Sequence, residues 1–139
     1  MQRLASALLL RVRPSRIILA GGPRSGKSTF AAALSDGYRI PVRGTDELRS
    51  LEWSESSLVA STWLDRPGPW ICEGVVMPRA LRKWLAANPE GKPADIAIWI
   101  NAPVSERVRG QDAMAKGCET VWDEVFLPLR ERGVRILIP

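Results

Sequence analysis

The chain contains no histidine and only two cysteines among its 139 residues. The absence of histidine excludes every mechanism that needs an imidazole base, nucleophile or ligand, including histidine triads and His-containing zinc sites. Cys72 and Cys118 do not have the spacing of metal ligands, and Cys72 lies in an apolar segment where a buried small residue is expected. A reducing, cytoplasmic environment suits both thiols.

Long apolar runs are also missing, since no stretch of 18 apolar residues occurs, and no membrane association is expected. Residues 1–35 contain six basic residues and no acid. This imbalance fits nucleic-acid affinity or, as we favour, a phosphate site preceded by a short basic helix at 1–15. The remaining composition is that of one domain over 1–139, with 45% hydrophobic residues and a net charge of +5. Composition does not indicate the oligomeric state.

The strongest motif lies at residues 21–29, which read GGPRSGKST and fit the phosphate-binding pattern G-x-x-x-x-G-K-[ST] of a P-loop. Residues 21–29 are therefore named the P-loop. The glycines allow a tight turn whose N–H groups point at phosphate oxygens. Lys27 places an ammonium on the terminal phosphates, and Ser28 offers a hydroxyl to Mg²⁺. An apolar segment at 16–20 and a helical one at 28–35 supply the strand–loop–helix context. The predicted phosphate-binding residues are Gly22, Pro23, Arg24, Ser25, Gly26, Lys27, Ser28 and Thr29.

Apolar segments of strand type alternate with helical segments along the rest of the chain. We predict strands at 38–43, 70–72, 94–100 and 134–138. We predict four further helices: one with Ser54 as its N-cap, one that begins at Pro78, one at 105–116 with an interruption near Gly110, and one at 120–132. The helical segment at 28–35 should stop at Asp36-Gly37. This alternation predicts an α/β fold with a parallel sheet and ligands at the carboxyl ends of its strands.

Phosphoryl transfer needs a phosphate cradle, metal support, an acceptor base and cations over the transferring group. Asp46 and Glu73 follow predicted strands and could hold the metal or polarise an acceptor hydroxyl. Asp46 could equally be a helix N-cap before Leu48. The candidate cations, which could also form an ordinary solvated face, are Arg79, Arg107, Arg109 and Lys116. Core or half-buried packing is favoured over base stacking for the tryptophans Trp53, Trp63, Trp84 and Trp122.

The layout resembles the P-loop kinases of the adenylate-kinase type, which include small-molecule, nucleoside and polynucleotide 5′-hydroxyl kinases. The resemblance rests on the P-loop, Thr45-Asp46, residues 71–74 (ICEG), Pro78-Arg79, and residues 98–109. Residues 98–109 are similar to a fourth strand followed by an arginine-bearing lid helix. This family has a three-layer α/β/α domain with a parallel five-stranded sheet in the order 2-3-1-4-5.

The resemblance implies an enzyme that uses ATP, possibly GTP, and Mg²⁺ to phosphorylate a hydroxyl or phosphate acceptor, which is a small molecule or a nucleic acid. It implies catalytic roles for Lys27, Asp46, Glu73 and Arg107, nucleotide binding by Arg109, and metal binding by Ser28 and Glu73. The third-strand acid is Glu where Asp is commoner. With a short lid and no base-reading loop after the last strand, ATP and GTP are expected to bind similarly.

Two alternatives remain open: a nucleotide-binding module or slow ATPase without kinase turnover, and a nucleic-acid 5′-end kinase. Other P-loop classes fit less well. A GTPase needs N-K-x-D after a late strand, and this pattern does not occur. RecA-like ATPases usually end a strand in Asp-Glu, and no predicted strand ends so. The loop also resembles that of cobinamide kinases, but their histidine nucleotidyl carrier has no counterpart in a chain without histidine.

Overall fold

The computed structural model describes residues 15–100 and 106–139. Strands and helices alternate along these residues, as the sequence predicts. The strands are β1 (Arg16–Gly21), β2 (Val42–Gly44), β3 (Trp70–Gly74), β4 (Ile96–Ile100) and β5 (Arg135–Leu137). The helices are α1 (Lys27–Tyr38), α2 (Trp53–Trp63), α3 (Met77–Ala87) and α4 (Gln111–Glu131), with a 3₁₀ turn at Thr45–Leu48.

The strands form one sheet in the order β2-β3-β1-β4-β5, and each neighbouring pair is parallel. The central strand β1 aligns Ile18 with Cys72 of β3 and with Ala97 of β4. The predicted parallel sheet and its order are therefore confirmed, and β2 lies at one edge. Because all five strands run the same way, their carboxyl ends meet at one edge of the sheet, where the P-loop begins.

Two apolar layers cover the sheet, because successive side chains of a strand point to opposite faces. Ile17 and Leu19 of β1 are buried with Phe30 and Leu34 of α1. On the other face, Ile18 and Ala20 join apolar residues of α2, α3 and α4. Each fully buried large apolar side chain contributes about 1.5–3 kcal/mol. The result is the predicted three-layer α/β/α arrangement.

The last helix differs from the prediction. Helices at 105–116 and 120–132 were expected, whereas one helix of 21 residues, α4, begins after Gly110. Residue 105 lies outside the described residues, and residues 106–110 are not helical, so Arg107 precedes a helix instead of lying on one. Helix α4 continues through Gly117. A Cβ at this position would lie 3.1 Å from Arg79 Nη2, so glycine allows the Arg79 side chain to pack closely against α4. Stacking of Trp122 on Trp99, with ring centroids 5.1 Å apart, holds α4 on the sheet.

Three other predicted boundaries also shift. Helix α1 continues through Asp36-Gly37 to Tyr38 and ends where Arg39 takes a left-handed conformation with φ of 56°. The second strand is consequently shorter and later than 38–43. Helix α2 begins after Glu52, so Ser54 lies inside its first turn and is not the N-cap.

The remaining expectations concern the ends of the chain and membranes. The short helix at 1–15 falls almost wholly outside the described residues, and its prediction stands untested. No helix within the described residues is long and apolar enough to cross a membrane.

Candidate active site

The P-loop connects the carboxyl end of β1 to α1 through two left-handed residues. Gly26, the N-cap of α1, has φ of 83°, and Arg24 has φ of 58°. A left-handed conformation is unfavourable for a residue with a side chain, by roughly 1 kcal/mol or more. Lys27 Nζ donates a 3.1 Å hydrogen bond to the Gly22 carbonyl, so the ammonium lies across the loop. Ser25 Oγ is buried and has no hydrogen-bond partner among the described residues.

Glu73 brings a buried carboxylate to the start of α1. Glu73 is only 8% exposed, and its Oε1 atom accepts a 3.4 Å hydrogen bond from Ser28 Oγ. Burial raises the pKa of Glu73, although the Lys27 charge opposes this shift, and burial lowers the pKa of Lys27 against the pull of Glu73 and Asp46. Lys27 of the P-loop and Glu73 of β3 therefore carry opposite charges that burial disfavours, an arrangement that is typical of functional sites.

The 3₁₀ turn after β2 is packed tightly against the end of β3. Gly74 has φ of 145°, and a Cβ at this position would lie 1.8 Å from Thr45 Oγ1. Only glycine allows both this backbone conformation and this contact. The contact fixes the position of Thr45, and with it the exposed Asp46 in the next position. Asp46 lies within the 3₁₀ turn and does not cap a helix before Leu48.

Residues 106–111 dock on the outer side of the P-loop. Arg107 Nε donates a 3.0 Å hydrogen bond to the Pro23 carbonyl, and its side chain is 15% exposed. Gln111 Oε1 accepts hydrogen bonds from Arg24 Nε at 3.1 Å and from the Val108 backbone N–H at 2.7 Å. These contacts restrain the strained Arg24. Arg109 is exposed and does not line the cavity described next.

A cavity of about 640 Å³ opens beside the P-loop. Its size is that of a small-molecule site. Asp46 lines it, whereas Gly22, Ser25, Glu73 and Arg107 do not. The structure thus brings Asp46 and the P-loop to one cavity and places Glu73 behind Ser28. The P-loop residues in its wall are Pro23, Arg24, Gly26, Lys27, Ser28 and Thr29, and the apolar ones include Leu48, Leu51, Trp53, Val75, Val76 and Met114.

Two members of this region have unusual environments. The Arg79 guanidinium lies over the Trp53 ring, with Cζ 4.6 Å from the centroid, and its Nη1 atom is buried without a hydrogen-bond partner among the described residues. Trp53 is 41% exposed, so it lies outside the core and is only half-buried. Trp63, Trp84 and Trp122 are buried, which confirms the expected core packing for these three.

Cys118 of α4 contacts the backbone at the start of the P-loop. Its Sγ lies 3.6 Å from the Gly21 carbonyl and 3.4 Å from the Val75 carbonyl, and the residue is fully buried. Burial raises the pKa of Cys118 to about 11, so the thiol is neutral at physiological pH and serves packing instead of nucleophilic chemistry. Cys72 is likewise buried, as predicted.

Comparison with known proteins gives one informative similarity. No family model matches the chain. The chain is 33% identical over 109 residues to a cytidylate kinase from Halobacterium salinarum, which covers 67% of this chain and 55% of the relative. The chain thus spans about half the length of the curated relative that it matches. The fold is that of a kinase-like P-loop protein. The sheet order and this similarity support a P-loop kinase-like family.

Proposed function

We propose that the chain is a nucleotide-dependent phosphotransferase of kinase type, with ATP, or alternatively GTP, as donor and a hydroxyl or phosphate group as acceptor. The observation that carries this proposal is the shared cavity, whose wall contains both Lys27 of the P-loop and Asp46 of the 3₁₀ turn. A donor phosphate at the P-loop would therefore face an acceptor held near Asp46. The similarity to a cytidylate kinase supports the same class of reaction.

The residues around Ser28 fit a magnesium ion. Ser28 Oγ and Glu73 Oε1 are 3.4 Å apart and supply hard oxygen donors. Within the described part of the chain, no group of three or more His, Cys, Asp or Glu residues could hold a metal ion. Mg²⁺ commonly takes one or two protein oxygens and completes its shell with water and substrate phosphates. When bound, it would neutralise charge on the phosphates; Ser28 and Glu73 would hold it, directly or through water.

The remaining roles follow from position. The backbone N–H groups of Gly22 and of residues 24–29 and the Lys27 ammonium would bind the donor phosphates, and Pro23, which has no N–H, would shape the loop. Asp46 would orient or deprotonate the acceptor. The Arg79 guanidinium does not line the cavity, but it lies against Trp53 of the cavity wall, and its positive charge favours an acceptor that carries negative charge. Arg107 and Arg109 would add positive charge near the nucleotide. We also propose that 1–139 form one domain.

One observation favours the alternative of a nucleotide-binding module with slow ATP hydrolysis. The Arg107 Nε–H donates to the backbone carbonyl of Pro23, and Arg107 does not line the cavity. In this conformation the guanidinium supports the loop and does not reach across the cavity. A kinase of this kind would need Arg107 to leave Pro23, or would work without it.

An acceptor panel separates the two functions. The chain is incubated with Mg²⁺ and ATP, alone and with nucleoside monophosphates, sugars, sugar phosphates and 5′-hydroxyl oligonucleotides. A kinase releases ADP faster with one acceptor and forms one phosphorylated product for each ADP. Equal, slow ADP release under all conditions, without a phosphorylated product, would contradict kinase function and support the hydrolase.

Replacing Arg107 by alanine tests its proposed support of the P-loop. The Pro23 carbonyl loses a charge-assisted hydrogen bond, an interaction of about 1.5–3 kcal/mol, so we expect ATP affinity to fall roughly tenfold. Arg107→Lys should recover part of the loss. Calorimetric titration with ATP measures both, and Arg82→Ala, which removes an exposed ion pair with Glu124, is the control. Unchanged ATP affinity with slower transfer would instead indicate a direct catalytic role.

A further inference from the structure

Trp53 is the most exposed of the four tryptophans for which the sequence predicts packing. Trp63, Trp84 and Trp122 are at most 9% exposed, whereas 41% of Trp53 remains accessible. It begins α2 and forms part of the cavity wall. Leaving a large aromatic ring accessible forgoes the burial that stabilises the other three, so its position is not explained by core packing.

Arg79 stabilises the orientation of the Trp53 ring. The guanidinium carbon lies 4.6 Å from the indole centroid, within the range of a cation–π interaction. On the side of α4, a Cβ at Gly117 would lie 3.1 Å from Arg79 Nη2, so the arginine is packed between α4 and the indole. The indole is therefore supported by a side chain that is itself held in place. A flat aromatic surface that is pre-oriented at a cavity wall loses little conformational entropy when a ligand stacks on it.

The cavity has two chemically different parts. Lys27, Ser28 and Asp46 provide its charged and polar part, where the transferring phosphoryl group would lie. Trp53 belongs to the apolar part, together with Leu48, Leu51, Val75, Val76 and Met114. A phosphoryl acceptor that fills both parts needs a polar end and a flat apolar end. Sugars and aliphatic alcohols lack the second.

We propose that Trp53 is a specificity-determining residue that stacks on an aromatic ring of the phosphoryl acceptor. This inference rests on the proposed function, since it identifies the chemical class of the acceptor in that site. The acceptor thus carries a planar ring, such as a nucleobase, and a phosphate or hydroxyl group at the opposite end. Asp46 acts on the polar end of this acceptor, and Trp53 selects its ring.

The test compares ligands that differ only in the ring. Binding of CMP, UMP, AMP, GMP and ribose 5-phosphate to the full chain is measured by calorimetry. We expect at least one nucleotide to bind at least tenfold more tightly than ribose 5-phosphate. Trp53→Ala should remove that advantage and leave the affinities for ribose 5-phosphate and ATP within about twofold, while Trp53→Phe should restore most of it. Leu58→Ala is the matched control, because Leu58 is an exposed apolar residue of the same helix outside the cavity wall.

Two results would overturn the proposal. One is equal affinity of ribose 5-phosphate and all four nucleotides for the unaltered chain. The other is a Trp53→Ala variant that loses affinity for ribose 5-phosphate and ATP as much as for the nucleotides, which indicates a structural role. Because calorimetry needs no turnover, Trp53-dependent nucleotide binding without transfer from ATP would contradict the kinase function and leave the stacking site intact.

Discussion

Replacing Lys27 by alanine is expected to weaken ATP binding about a hundredfold and to reduce turnover by on the order of a thousandfold. The first figure corresponds to about 2.8 kcal/mol, as for one or two charge-assisted hydrogen bonds. The larger loss in turnover is expected because Lys27 would also stabilise charge on the transferring phosphoryl group. Among the described residues, its ammonium donates a hydrogen bond to the Gly22 carbonyl, at 3.1 Å.

The same change should leave the domain folded. Burial lowers the pKa of Lys27, so the folded state disfavours its charged form relative to the unfolded chain. The charged side chain therefore costs stability at pH values below its folded-state pKa, and that cost disappears as the pH rises past its unfolded-state pKa. The nearby Glu73 charge, which raises the pKa of Lys27, limits the cost. We expect an unfolding free energy within about 1 kcal/mol of the unaltered chain at pH 7.

Calorimetric titration with ATP and thermal unfolding measure the two effects separately. Lys92→Ala is the control, because Lys92 is partly exposed and pairs with Asp95, beside the amino end of β4. A Lys27→Ala chain that is folded and still binds ATP normally would contradict the assignment of the P-loop as the phosphate site. A chain that loses both properties would show that Lys27 is needed for folding.

The sheet was predictable because its signals are local. Buried parallel strands read as short apolar runs, and helical segments separate them, so the order of elements could be derived from the sequence. Boundaries were less predictable, because long-range packing sets them. Gly117 has the local character of a helix breaker, yet the approach of the Arg79 side chain favours glycine there and α4 runs through it. Asp36-Gly37 likewise failed to stop α1.

The candidate site was predictable only where the motif is contiguous. The P-loop residues could be identified because they are neighbours in the sequence. That Glu73 reaches Ser28, 45 positions away, depends on the pairing of β1 with β3. The opening of Trp53 to the cavity depends on how α2, α3 and α4 meet, and a single sequence contains no direct record of that contact.

The two acids of the site should respond differently when each is made neutral. Asp46→Asn is expected to reduce transfer by on the order of a hundredfold to ten-thousandfold, the range of general acid–base catalysis, with ATP affinity unchanged. Asp46 is exposed and lines the cavity, where it would contact the acceptor. Its amide analogue keeps the size and polarity but cannot accept a proton.

Glu73→Gln should instead raise the Mg²⁺ concentration needed for half-maximal activity, by about tenfold or more. Glu73 does not line the cavity, and its Oε1 atom accepts a hydrogen bond from Ser28 Oγ at 3.4 Å. A neutral amide oxygen is a weaker ligand for Mg²⁺ than a carboxylate, whether the contact is direct or through water. Titrating Mg²⁺ at fixed ATP and acceptor, for both variants, measures the difference. If both substitutions shift the Mg²⁺ requirement equally, Asp46 and Glu73 share the metal, and the assignment of Asp46 to the acceptor is wrong.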